Sequence, residues 1–333
     1  MKILITAPYN EVARSFVERE IGTVIYHPWK SNGRAYSEDE LVVLLEKTGA
    51  DALITEHDQV SGKVIATFPS LKFIGVCRGT PSNVDLETAS HNGIPVFFTP
   101  ARNAQAVAEM FIANVITFFR NILAARRWLM EEKWESGAHD SYLQFKGREM
   151  AGKTIGMVGF GAIGQRIARM VRDFPCNIKF YDPYIQTSNA TWEKTTLEEV
   201  FSTSDIVSVH LPANEKTQGM IDRRLLEMMK PDALFVNTSR AMVVKRSDLL
   251  EVLESGKIQG AILDVFDHEP PDETDYKIIH LPNVMATPHI AGATYEVEDH
   301  HADIMNENLL NWFSKNMKEK SFMANRGAFA MEN

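Results

Sequence analysis

The sequence predicts an α/β protein built from two doubly wound parallel-sheet domains, and three observations carry that expectation. Short β-type runs alternate with helix-type stretches along most of the chain, the pattern of parallel strands joined by crossover helices. The alternation comes in two series, separated by a long helical pattern and a polar stretch. With 333 residues, 44% of them hydrophobic, the chain exceeds one ordinary core and fills two, since domains usually hold ~100–200 residues.

In the first series the strand candidates are Lys2–Thr6, Thr23–His27, Ala52–Thr55, Leu71–Cys77 and Ile94–Thr99. Ser37 followed by Glu40 offers a capping box, and Gly49 a stop, for the helix between the second and third runs. Asn92-Gly93 closes the helix before Ile94. One long helical pattern then runs from about Ala104 to Trp128, and the polar stretch from Glu131 to Arg148 shows little periodicity. The second series offers Thr154–Val158, Ile178–Tyr181, Ile206–His210, Leu234–Asn237, Ala261–Val265 and Val284–Ala286, with helical stretches such as Ser247–Glu254 between them. A last helical stretch, Glu296 to about Trp312, follows the final strand and is free to return to the first domain.

Composition excludes several classes. A formal charge of −9 and no lysine- or arginine-rich run leave no footprint for gripping a phosphate backbone, so nucleic acid is not expected. Met110–Phe119 is broken by Asn114 and Thr117 and falls far short of the ~20 residues of a membrane span. Ile3–Ile5 is too brief for a signal-peptide core. Cys77 and Cys176 have no paired spacing, so neither a disulfide framework nor a cysteine zinc site is expected, and a reduced cytoplasm fits best.

The most informative segment is Thr154–Val158 running into Gly159-Phe160-Gly161-Ala162-Ile163-Gly164 and then an amphipathic stretch, Gln165–Phe174. This is the strand, turn and helix that a dinucleotide fingerprint requires. Gly159 suits the tight turn, Gly161 the approach of a pyrophosphate, and Gly164 close helix-on-strand packing. The helix N-terminus adds free N–H donors and a favourable dipole. Asp182, ending the next strand, stands where a carboxylate would accept from the ribose hydroxyls and repel a 2′-phosphate; with no arginine adjacent, NAD is expected over NADP.

Three further segments bring a resemblance. Val236-Asn237-Thr238-Ser239-Arg240-Ala241, then Leu263-Asp264-Val265-Phe266 leading to His268-Glu269-Pro270, then Ala286-Thr287-Pro288-His289-Ile290-Ala291-Gly292-Ala293-Thr294 resemble, in order and spacing, the signature blocks of the D-2-hydroxyacid dehydrogenases. The likeness reaches Cys77-Arg78-Gly79, Asn83-Val84-Asp85, Asn103-Ala104 and Val107-Ala108-Glu109. It implies a Rossmann NAD-binding domain, residues 102–293, inserted in a flavodoxin-like substrate domain, residues 1–101 and 294–333. It also implies a homodimer through the 104–128 helix. The activity implied is hydride transfer between nicotinamide and C2 of a small D-2-hydroxy or 2-keto acid.

The chemistry asks for the same residues. Arg240, planar and permanently charged, suits orienting a carboxylate and polarising a carbonyl. His289 suits delivering a proton, or removing one in the oxidation direction. Glu269 would accept from the other ring nitrogen, favour the imidazolium and orient it. The resemblance places Asp264 on the nicotinamide side with backbone from Asn237, Thr238, Ser239, Arg240, Ala291 and Gly292. His210, Leu211 and Pro212, with Thr217, fall on the adenine side, which makes His210 a poor catalytic candidate. Arg78-Gly79-Thr80 would offer N–H groups to the substrate carboxylate, while Arg78 itself is either a grip for a second acidic group or a surface residue.

The pair His300-His301 invites a metal reading, but adjacent helical residues diverge, so a solvated helix face is expected and no metal. Two departures from the family stand out. Lys245 replaces a commonly acidic or amide residue, and 317–333 matches no family block. No regulatory C-terminal block like that of longer phosphoglycerate dehydrogenases is legible, so serine feedback is not expected. Formate dehydrogenases characteristically pair this histidine with glutamine, and Glu269 speaks against them. An NAD-sensing corepressor on the same scaffold is the rival from another class.

Overall fold

The structure, a computed structural model, describes residues 1–135, 137–186, 191–313 and 322–329. The chain forms two compact units, Met1–Asn103 with Thr294–Asn333, and Ala104–Ala293.

The first unit holds a five-stranded parallel sheet of β1 (Lys2–Ile5), β2 (Thr23–Tyr26), β3 (Ala52–Thr55), β4 (Ile74–Val76) and β5 (Val96–Phe98), in the order β2-β1-β3-β4-β5. Alternate residues of one strand go to opposite faces. Ile3, Ile5 and Ile54 accordingly pack with Ala302, Met305 and Leu309 of the last helix, Glu296–Phe313. Leu4 and Leu53 pack the other way, with Leu41 and Leu45 of helix Glu38–Thr48. That helix starts as its sequence indicates, Glu40 accepting from the Ser37 N–H at 2.9 Å, and ends at Gly49 with φ 58°.

The second unit holds β6 (Thr154–Val158), β7 (Asn177–Tyr181), β8 (Trp192–Lys194), β9 (Ile206–Val209), β10 (Leu234–Asn237), β11 (Gly260–Leu263) and β12 (Val284–Ala286). All pairs are parallel, in the order β12-β11-β10-β9-β6-β7-β8. One face packs Ile155, Met157, Leu234 and Val236 against Phe111 and Val115 of helix Ala104–Phe119. The other packs Val207, Val209, Phe235 and Leu263 against Leu225, Leu249 and Val252. Strands buried on both faces read as continuous apolar runs, which is why the central ones are legible in sequence.

Four expectations need correction. The second sheet has a seventh strand, β8, a three-residue edge with Glu193 and Lys194 exposed and no apolar run to announce it. The long helix from Ala104 is two helices, Ala104–Phe119 and Ile122–Met130, bent by 61° where Asn121 takes a left-handed φ of 53°. The polar stretch after it contains a short helix, Ala138–Gln144.

His300-His301 is not a solvated face. His301 is buried, its Nε2 2.7 Å from the Pro8 carbonyl and its Nδ1 2.9 Å from Arg102 Nη1, and burial pushes its pKa down. The return of the last helix onto β1 turns that side inward. His300 Nδ1 lies 3.1 Å from the Arg102 carbonyl oxygen. Of the stretch 317–333, only 322–329 fall within the described residues; there Phe97 bridges to Met323 beside β5.

Candidate active site

Every site residue proposed for the second unit stands at or after the C-terminal end of a strand, where parallel sheets present their ligand-binding crevices. The sheet order does the gathering. β6 and β9 are neighbours at the point where strand order reverses, and they bring the glycine turn beside His210. β10, β11 and β12 lie side by side and bring up Arg240, Glu269 and His289 respectively.

Gly159 leaves β6 with φ 91°, and a Cβ there would stand 2.7 Å from the His210 carbonyl oxygen, so only glycine suits this turn. A Cβ on Gly164 would lie 3.0 Å from the Gly159 carbonyl, which is the close helix-on-strand packing expected of it. Phe160, between the glycines, is fully buried and stacks on Phe180 with ring centroids 4.1 Å apart, pinning the turn to the core. Helix Ala162–Met170 begins at Gly161 with no side-chain cap. Its first-turn N–H groups have no partner within the helix, and Gly161 and Ala162 beside them are exposed.

Asp182 accepts from the N–H groups of Phe160 at 2.8 Å, Tyr184 at 2.8 Å and Ile185 at 3.1 Å. A carboxylate offers about four acceptor positions, so one remains for a ribose hydroxyl. His210 places Nε2 3.0 Å from Ser208 Oγ, its Nδ1 is buried without a partner among the described residues, and burial pushes its pKa to about 4. It is neutral at pH 7 and unsuited to acid–base work. Thr217 Oγ1 donates to the Pro212 carbonyl at 2.6 Å, closing the loop after Leu211. Thr238 Oγ1, just past β10, is buried with no partner among the described residues. This orphaned hydroxyl, the uncapped helix start and the spare Asp182 position fit a nicotinamide dinucleotide lying across the strand ends.

Asn237 shapes the turn that follows β10. Its Oδ1 accepts from the Ser239 N–H and hydroxyl at 3.0 and 2.9 Å, and its Nδ2 donates to the Arg240 carbonyl at 3.0 Å. Arg240 itself is exposed, with Nη1 donating to the Ser239 carbonyl at 2.6 Å. Lys245, the departure noted above, donates its N–H to the Ile221 carbonyl and lays its side chain beside Gly219.

The structure joins Glu269 to His289. The histidine Nδ1 lies 2.9 and 2.7 Å from the two carboxylate oxygens. Since a carboxylate only accepts, the proton of this contact sits on Nδ1, and Nε2 remains for substrate. His289 has a left-handed φ of 53°, rare for a residue with a Cβ and held only where the surroundings insist on it. A cavity of about 420 Å³ flanks the pair, walled by Phe266, Pro270, Tyr276 and Thr287.

Asp264, expected on the nicotinamide side, also grips the loop around His289. Asp264 is fully buried, and its carboxylate accepts from Thr287 Oγ1 at 2.6 Å, Ile290 N at 2.9 Å and Ala291 N at 2.8 Å. It anchors the loop carrying His289 on both sides, and the Ala291 N–H is spent on it. Arg78, Gly79 and Thr80 follow β4 in the first unit; Arg78 donates its N–H to the Val76 carbonyl at 2.8 Å, and Gly79 and Thr80 are exposed.

Comparison with known proteins identifies the family. Residues 112–291 match the family described as D-isomer specific 2-hydroxyacid dehydrogenase, NAD binding domain. The chain is 58% identical over 328 residues to the "Putative 2-hydroxyacid dehydrogenase YoaD" of Bacillus subtilis (strain 168), covering 98% of this chain and 95% of that one. It is 36% identical to the hydroxypyruvate reductase of Thermotoga maritima, over 78% of this chain and 83% of the relative. Among solved structures, an acyclic imino acid reductase in complex with NADPH and D-Arg superposes with a TM-score of 0.77 at 26% identity, covering 95% and 98% of the two chains. The chain belongs to the D-isomer specific 2-hydroxyacid dehydrogenase family. It is an oxidoreductase of the nicotinamide-dependent 2-hydroxyacid dehydrogenase class, on a Rossmann domain paired with a flavodoxin-like one.

Proposed function

We propose that this dehydrogenase interconverts small 2-keto acids and D-2-hydroxy acids with NAD(H). The observation that carries the reading is the Glu269–His289 contact at 2.7 Å, which leaves Nε2 as the one ring nitrogen free to exchange a proton with the substrate. Bound nicotinamide supplies or accepts the hydride. In reduction, the His289 imidazolium, stabilised and oriented by Glu269, delivers its Nε2 proton to the carbonyl oxygen and is left as neutral imidazole. The Arg240 guanidinium holds the substrate carboxylate and draws charge from the carbonyl. A panel of glyoxylate, hydroxypyruvate, pyruvate and bulkier keto acids, followed by loss of NADH absorbance, tests the proposal. Steady turnover with at least one is expected; NADH binding without turnover on any would overturn it in favour of a sensing role.

Asp182 makes the cofactor preference testable. A 2′-phosphate brought to a carboxylate already holding three N–H groups meets like-charge repulsion worth roughly 1–3 kcal/mol in a part-exposed groove. We expect kcat/KM with NADH to exceed that with NADPH by about tenfold or more, whereas comparable values would remove Asp182 from this role.

A further inference from the structure

Five acids, Asp267, Glu269, Asp272, Glu273 and Asp275, crowd the nine residues 267–275, and Glu269 is one of them. A single guanidinium answers three of the others. Arg246 Nη1 lies 2.9 Å from both carboxylate oxygens of Asp272 and 3.1 Å from Asp275 Oδ1, while its Nε is 3.2 Å from Asp267 Oδ2. The contacts continue inward. Asp275, whose side chain is 2% exposed, accepts from the His268 N–H at 3.1 Å and the Asp272 N–H at 3.2 Å on its second oxygen. Glu269 is therefore the apex of a loop whose two feet, Asp267-His268 and Asp272, are tied to one cation, to one buried acid and to each other, His268 Nδ1 lying 2.9 Å from Asp272 Oδ2.

His268, Asp272 and Asp275 are close enough together to hold a metal ion. Arg246 already stands on both acids, so the cluster's cation is the protein's own. Its position is locally unfavourable: Arg246 opens helix Arg246–Glu254 directly after Lys245, with no side-chain cap, and the positive end of a helix dipole repels cations by roughly 0.3–1 kcal/mol. A sequence that breaks a local rule at a buried-acid cluster gains something there.

We propose that Arg246 is a positioning residue for the reaction, clamping both feet of the 267–272 loop so that the Glu269 carboxylate stays against Nδ1 of His289. This rests on reading Glu269–His289 as the proton-transfer pair. Without the guanidinium, Asp267, Asp272 and Asp275 repel one another and the loop opens. Burial pushes the Asp267 pKa up, and the neighbouring Asp275 and Asp272 carboxylates add to the rise. Glu269 then leaves the histidine, and a displacement of about 1 Å at such a group costs on the order of 100-fold in rate.

Arg246→Met and Arg246→Lys, each made in the wild-type and the Glu269→Gln background, test this. The readouts are kcat, the KM of a keto acid that turns over, and NADH affinity by fluorescence. In the wild-type background we expect Met to lower kcat about 10–100-fold and Lys about 3–10-fold, because an ammonium reaches fewer of the carboxylates. NADH affinity and keto-acid KM should stay within about threefold. In the Glu269→Gln background, Arg246→Met should cost less than about threefold more, since two residues acting through one contact are not additive.

The same loss in both backgrounds, or none in the wild type, would overturn the proposal. If Arg246→Met does not fold, Arg246→Lys decides alone: reduced kcat with NADH affinity intact supports the clamp, and unchanged kcat overturns it. Full turnover by Glu269→Gln would instead sink the proton-transfer pair, and that measurement involves no change at Arg246.

Discussion

Replacing His289 with alanine lowers kcat for keto-acid reduction by about 10²–10⁴-fold, the usual weight of a positioned general acid, and leaves NADH affinity within about twofold. The expectation follows from where the ring sits. Its Nδ1 is committed to Glu269, its backbone holds a left-handed φ, and the groups suited to the pyrophosphate and adenosine of the dinucleotide lie at other strand ends, after β6, β7 and β9. The side chain is roughly half exposed, so its removal opens no core cavity and leaves little stability to lose. Stopped-flow reduction with NADH fluorescence titration separates the two readouts. A variant that keeps more than about a tenth of wild-type kcat would show that the proton comes from elsewhere. Arg240→Ala should differ in kind, weakening keto-acid affinity as well as turnover.

Much of the architecture was legible because the physics behind it is local. Runs such as Ile3-Leu4-Ile5 and Leu234-Phe235-Val236 read as doubly buried strands without reference to anything distant. The glycine fingerprint reads as a turn because its backbone demands are intrinsic to glycine. β8 was not legible: Trp192-Glu193-Lys194 is an exposed edge whose strand character comes from pairing with β7. The break at Asn121 was hidden for a similar reason. No proline or glycine interrupts the apolar pattern there, and a left-handed asparagine leaves no mark on periodicity.

Site residues divide along the same line. Arg240, Glu269 and His289 could be proposed from chemistry and resemblance together, since a carboxylate grip, an orienter and an acid have preferred residue types. The partners of Asp264 come from a segment 23–27 residues further on, and those of Arg246 from one up to 29 residues on. Neither pairing has a local signature. His301 was misread because its environment is set by Pro8, 293 residues away. Residue type announces chemistry, whereas the groups that hold the chemistry in place are chosen by the tertiary structure.

Asp264→Ala should be the most damaging single change in the second unit that touches no substrate. The carboxylate is fully buried and answers three donors, Thr287 Oγ1, Ile290 N and Ala291 N. A methyl group leaves all three inside without an acceptor, at roughly 1–3 kcal/mol for each one that stays dry. Relaxation of the 287–291 loop toward water will recover part of this, so a net loss of roughly 3–5 kcal/mol is expected, read as a drop in the denaturation midpoint at unchanged slope. The loop that relaxes is the one that holds His289, so the recovered stability is taken from the geometry of the Glu269 contact. Activity under conditions where the variant is still folded should therefore fall by at least tenfold. Asp264→Asn, which keeps the shape and one acceptor oxygen but turns an NH₂ toward at least one donor, should fall between wild type and alanine in both measurements. Wild-type turnover in a destabilised but folded alanine variant would mean that His289 is held by something other than this carboxylate.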